Sequence, residues 1–132
     1  MKTANIGFAL FLTGCATLTI EQIATTSNEK LCNELGFEYS GMSEQTKGQI
    51  GDELVRRGAI NGYDWSMISQ RKVYVGMSEL ALRCSWGAPD RINQTLTGYG
   101  SSKQWVYRYP GYHVDQYNFV YTQGGKVVAI QN

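Results

Sequence analysis

The chain has one histidine, two prolines and three cysteines among 132 residues. His113 and three scattered cysteines fall short of the usual His/Cys zinc set. Neither sign of charge dominates: 12 Lys+Arg against 11 Asp+Glu leave a net charge of +1. The strong basic footprint of a nucleic-acid binder is therefore lacking. No apolar run reaches the roughly 18 residues that a spanning helix needs. No Gly-x-Ser-x-Gly, phosphate-cradling glycine loop or metal-ligand pair occurs. Gly98-Tyr99-Gly100-Ser101-Ser102 is glycine-rich, but it lies between two strand patterns and reads as a hairpin loop. Glu53, Asp64 and Asp90 fall on unrelated elements, so nothing pairs them as acid and base. His113, in Pro110-Gly111-Tyr112-His113, reads as a solvated loop residue. The length admits one small domain. The expectation is a binding domain and not an enzyme, with no cofactor, metal, nucleic acid or small-molecule substrate.

The odd cysteine is explained by the N-terminus. Met1-Lys2-Thr3 is followed by the mostly apolar Ala4–Leu12 and then by Thr13-Gly14-Cys15. A basic start, a short apolar stretch and small residues are the grammar of a secretory signal. The alternatives are an ordinary short N-terminal helix or a signal cut elsewhere. Leu12-Thr13-Gly14-Cys15 resembles the bacterial lipobox. That resemblance implies cleavage before Cys15 and a diacylglyceryl group on its thiol, whose thiolate is the nucleophile. Ala16, where Asp would hold such a protein back, implies onward transport to the outer membrane of a Gram-negative cell. The expected location is the periplasmic face of that membrane, held by the lipid. Cys32 and Cys84 then remain as an even pair. In an oxidising compartment they form a disulfide or stay as two buried thiols. A bond would contribute roughly 4 kcal/mol in the chain-entropy model.

The expected organisation is a signal over 1–14, a poorly ordered lipidated tether over 15–27, and one domain over 28–132. Asn28 is a candidate cap for a helix through Leu35, and Ser43 for a second helix ending at Gly58. Asp64 is read as capping a short turn and Val73–Val75 as briefly extended. Ser78 opens a third helix that Gly87-Ala88-Pro89 ends. Beyond Pro89 the apolar period changes to two. Arg91–Thr97, Gln104–Tyr109, Tyr117–Thr122 and Lys126–Ile130 read as strands, the last two joined through Gly124-Gly125. Trp105, Tyr107 and Tyr109 share one face, as do Tyr117, Phe119 and Tyr121, and the aromatic face is expected against the helices. The fold class is α+β, with N-terminal helices on a three- to four-stranded antiparallel sheet in two layers. Gly-Met-Ser-Glu occurs at Gly41–Glu44 and again at Gly76–Glu79, which reads as two similar helix starts. Basic residues outnumber acidic ones beyond residue 90, a mildly positive sheet that would suit an acidic partner.

Gly76-Met77-Ser78, an amphipathic helix, Gly87-Ala88-Pro89, Trp105-Val106-Tyr107 and a closing strand pair around Gly125 together resemble the SmpA/OmlA (BamE-like) family of outer-membrane lipoproteins. The resemblance covers about residues 73–130 and the lipobox, and segment 28–72 is extra to it. It implies a sandwich also seen in β-lactamase inhibitors, and a non-catalytic scaffold role in outer-membrane protein assembly or envelope integrity. The alternative function is inhibition of a periplasmic or extracellular hydrolase of the β-lactamase or lysozyme type. For either role the expected partner is an envelope protein, with the loop tyrosines Tyr99 and Tyr112 as anchors. Partly buried loop tyrosines are the plainer reading of the same two residues.

Overall fold

The computed structural model describes residues 18–36, 41–109 and 115–132. Five helices precede four strands: α1 Ile20–Thr25, α2 Asn28–Gly36, α3 Glu44–Arg56, α4 Gly62–Ile68 and α5 Glu79–Trp86, then β1 Arg91–Thr97, β2 Gly100–Tyr109, β3 Gln116–Gln123 and β4 Lys126–Gln131. The strands form one antiparallel meander in the order β1-β2-β3-β4. The helices pack on one face of it, so the fold is the expected α+β class. Val73 and Tyr74, read as extended, join no ladder of that sheet.

Where a tether was expected, α1 is a capped helix. Thr19 Oγ1 accepts from the Gln22 amide, and Gln22 Oε1 accepts from the Thr19 amide, a complete capping box. Ile23 is buried in the core. The C-terminal carbonyls of α1 are met by a side chain far away in sequence. The Arg57 guanidinium donates to the carbonyl oxygens of Ile23, Ala24 and Thr26 and to Asn28 Oδ1. The Ile23 carbonyl also accepts from the Thr26 amide at 3.3 Å, and a cation is favoured at such a helix C-terminus. A six-residue helix is marginal alone, so this docking is what holds it. Asn28, expected as the cap of α2, serves Arg57 instead. Ser27 takes the capping role, its Oγ accepting from Lys30 N at 3.3 Å.

The two Gly-Met-Ser-Glu copies are equivalent helix starts. Ser43 and Ser78 accept from the backbone amides of Thr46 and Ala81, and Gly41 and Gly76 both have positive φ just before. In α4 the cap is Asn61, with Asp64 completing its capping box from the third helical position. Asp64 was expected to be the cap. Both types cap well, and the reciprocal bond decides which one leads.

Helices α2 and α5 lie in unusually close contact. Cys32 and Cys84 are joined by a disulfide with a Cα–Cα distance of 3.9 Å. One turn further along α2, Gly36 meets Gly87, the C-cap of α5. Glu29 and Arg83 form an ion pair at 3.7 Å beside the same seam. Leu31, Ile50, Leu54, Met77 and Leu82 complete the core above the sheet.

The register corrects one expectation. Trp105 pairs with Val120 and Val106 with Phe119. Paired residues share a face, so the aromatic face of β2 lies beside Val120 and Thr122, not beside the β3 aromatics. Trp105, Tyr107 and Val120 are buried against the helices. Tyr117, Phe119 and Tyr121 do share a face, but it is the far face of the sheet. Tyr109, at the end of its strand, is 39% exposed.

Candidate functional site

Cys15, Tyr112 and His113 lie outside the described residues. Cys32 and Cys84 are both fully buried, and their disulfide makes them structural. Tyr99 occupies the tip of the β1–β2 hairpin between Thr97 and Gly100, and it is fully exposed. Its amide is held by Thr97 Oγ1 at 3.2 Å, so the turn is braced while the ring stands in solvent.

The three carboxylates weighed as catalytic sit on separate elements, and two of them have a structural task. Glu53 on α3 accepts from both Arg56 and Arg57. Those hydrogen bonds, Arg56 first, hold its carboxyl at about 2, well below the usual range. Asp64 is buried, takes the Asn61 amide, and accepts from Tyr74 Oη at 2.6 Å. That bond, together with burial, pushes the Tyr74 phenol up to about 12. Asp90 precedes β1, its amide donating to Val106 O at 2.8 Å. Among the described residues no group of three His, Cys, Asp or Glu side chains is placed to hold a metal. None of their helices is long and apolar enough to cross a membrane.

Two side-chain networks divide the sheet. On the helix side Trp105 Nε1 donates to Thr122 Oγ1, Thr122 Oγ1 donates to Glu79 Oε1, and Lys103 Nζ donates to Glu79 Oε2. This chain fastens the start of α5 to β2 and β3. Nearby, Tyr107 Oη donates to Gly87 O at 3.0 Å. Burial holds the Tyr107 phenol well above its ordinary value. On the far side an uncharged ladder crosses all four strands: Asn93 donates to Gln104, Gln104 donates to Tyr121 Oη, and Tyr121 Oη donates to Gln131 Oε1.

Exposed aromatic and apolar side chains lie on this far face and on the hairpin that extends it. Beside the amide ladder this face offers Tyr117, stacked on Phe119 at 6.3 Å; the hairpin end carries Tyr99 at its tip and Leu96, 82% exposed, on the helix side. Tyrosines are among the residue types that most often anchor a protein contact. The excess of positive charge beyond residue 90 is reduced on this body, because Lys103 is paired with Glu79 and Arg108 with Asp115.

Of the residues expected to bind, Tyr99 belongs to this surface. Tyr117 and Leu96, also exposed, are not among the residues that the sequence singles out. Period-two alternation groups Tyr117 with Phe119 and Tyr121 but does not say which side of the sheet they take, whereas the unbroken polar run around Leu96 marks an edge strand. No family model, no curated protein and no solved structure matches this chain.

Proposed function

We propose that the protein is a lipid-anchored, non-catalytic binding or scaffold component of the outer membrane, exposed on its periplasmic face and resembling the SmpA/OmlA family. The observation that carries this reading is the Cys32–Cys84 disulfide, which belongs to an oxidising compartment and so agrees with the signal and lipobox around Cys15. The capped helix starting at Ile20 supports it further, since only a few residues then separate the lipid from the folded body. The body is held close to the membrane with the far sheet face free to engage an envelope protein. Membrane fractionation of a Cys15→Ala variant tests the anchor: the variant is released into the soluble periplasmic fraction, and persistence in the membrane pellet refutes it. Purification of the full chain in mild detergent tests the assembly role, which requires co-purification of barrel-assembly components.

The fully exposed Tyr99 favours one second reading, inhibition of a periplasmic or extracellular hydrolase by insertion of a braced hairpin tip. Slowing of a β-lactamase or lysozyme by the purified protein, lost in Tyr99→Ala, is its signature. Lack of inhibition across a panel of both classes removes it.

A further inference from the structure

The two edges of the sheet differ. Along β4, the segment Gly76–Glu79 lies alongside: Gly76 N donates to Val127 O, Val127 N to Met77 O, and Glu79 N to Gly125 O, at 2.8, 2.8 and 3.1 Å. Nothing among the described residues covers β1, all seven of whose residues are exposed. Free edges are normally blunted by proline, lysine or an inward charge. From Ile92 to Ser102 the chain has no charged residue and no proline. Asp90 N bonds to Val106 O beside the Arg91–Val106 pair, as in a bulge where two successive amides share one carbonyl. The odd positions of β1 therefore bond to β2, and the N–H and C=O groups of Ile92, Gln94 and Leu96 point out of the sheet.

We propose that this edge pairs antiparallel with β1 of a second copy of the chain, about a twofold axis through Gln94. The sequence of β1 is self-complementary in that register. Gln94 faces Gln94 of the other copy, and Ile92 faces Leu96 on the helix side, twice. On the far side Asn93 faces Thr95, and Arg91 faces Thr97, so the two arginines are kept apart. Every outward backbone group gains a partner, about six hydrogen bonds in all. Ile92, 39% exposed, and Leu96, 82% exposed, cover each other. The twofold pairing is isologous and uses the β1 edge of both copies, so it closes as a dimer with a continuous eight-stranded sheet.

Sedimentation equilibrium of the full chain in density-matched detergent tests this. The expected result is a reversible monomer–dimer equilibrium, with amide exchange at Ile92, Gln94 and Leu96 slowing as concentration rises. Leu96→Lys places a charge on the edge and weakens association by about tenfold or more. Gln94→Lys, also at an exposed position, does the same if the first variant folds poorly. Tyr99→Ser lies beyond the paired register and leaves association unchanged. A monomer at all concentrations, a dimer indifferent to both lysine variants, or concentration-independent exchange at these amides overturns the proposal.

Discussion

Gly36 and Gly87 meet backbone to backbone: a Cβ on Gly36 would stand 2.2 Å from the Gly87 Cα. No side-chain rotation relieves such a contact, so α2 and α5 would have to separate while the neighbouring disulfide holds them together. Gly36→Ala is expected to cost about 3 kcal/mol, the upper part of the overpacking range. Gly87→Ala meets a milder contact, 2.9 Å from the Gly36 carbonyl oxygen, but carries the strain of φ +79° and ψ −165°, a region essentially reserved for glycine, and should cost about as much. Urea denaturation midpoints of the two variants check the size of both effects.

The disulfide lies one turn from that contact and closes a separation of 52 residues. Reduction, or the Cys32→Ser/Cys84→Ser pair, is expected to lower stability by about 4 kcal/mol in the chain-entropy model. Unfolding followed with and without reductant measures the difference. A shift under about 1 kcal/mol would mean that the packing of α2 on α5 restrains the unfolded chain as much as the bond does.

Helix α1 depends on Arg57, which serves two of its carbonyls, that of its C-cap Thr26, and Asn28. Arg57→Ala should cost about 2 kcal/mol, since bonds from a charged donor are worth more than neutral ones and these share one partly exposed group. Lysine cannot reproduce the planar fork, so Arg57→Lys recovers little of it. The local readout is amide exchange over 20–26, which should quicken while the sheet amides stay protected.

Glu53, between Arg56 and Arg57, gives that region a pH dependence with a definite sign. Its carboxyl is held at about 2 in the folded protein against an ordinary value of 4.5, the hydrogen bond from Arg56 being the largest cause. The folded state therefore binds fewer protons at this site than the unfolded one between those values. The stabilisation is full above about pH 5 and is lost as pH falls toward 2. Thermal melts across pH 2–6 should show a shallower acid slope in Glu53→Gln than in the natural chain.

Local signals were the legible part of this fold. Ser43 and Ser78 start helices, Gly87 ends one, and the β1 boundaries follow the change of period after Pro89. Each is decided within a few residues. Helix α1 was hidden because its Thr-rich stretch has weak helix propensity and its stabilising partner lies more than thirty residues away. The side taken by Tyr117 and Tyr121 was hidden for another reason. Alternation says which residues share a face, whereas register against the neighbouring strand says which face it is, and one residue of slip reverses the answer. Tyr99 was legible as a loop residue because the glycines on either side mark the turn.

Thr122 shows what that register achieves on the helix side. It is 1% exposed, and its hydroxyl both accepts from Trp105 Nε1 at 3.0 Å and donates to Glu79 Oε1 at 2.7 Å. Thr122→Val keeps the shape but leaves the indole N–H without its acceptor and the carboxylate with one donor fewer. The expected loss is about 2–3 kcal/mol, because a stranded buried donor costs its full desolvation. Thr122→Ser retains the hydroxyl and gives up only a buried methyl, about 1 kcal/mol. If the core were held by apolar volume alone, the order would reverse, with valine the milder change. Denaturation of the two variants, read through tryptophan fluorescence, therefore separates a polar fastening of α5 to the sheet from simple packing.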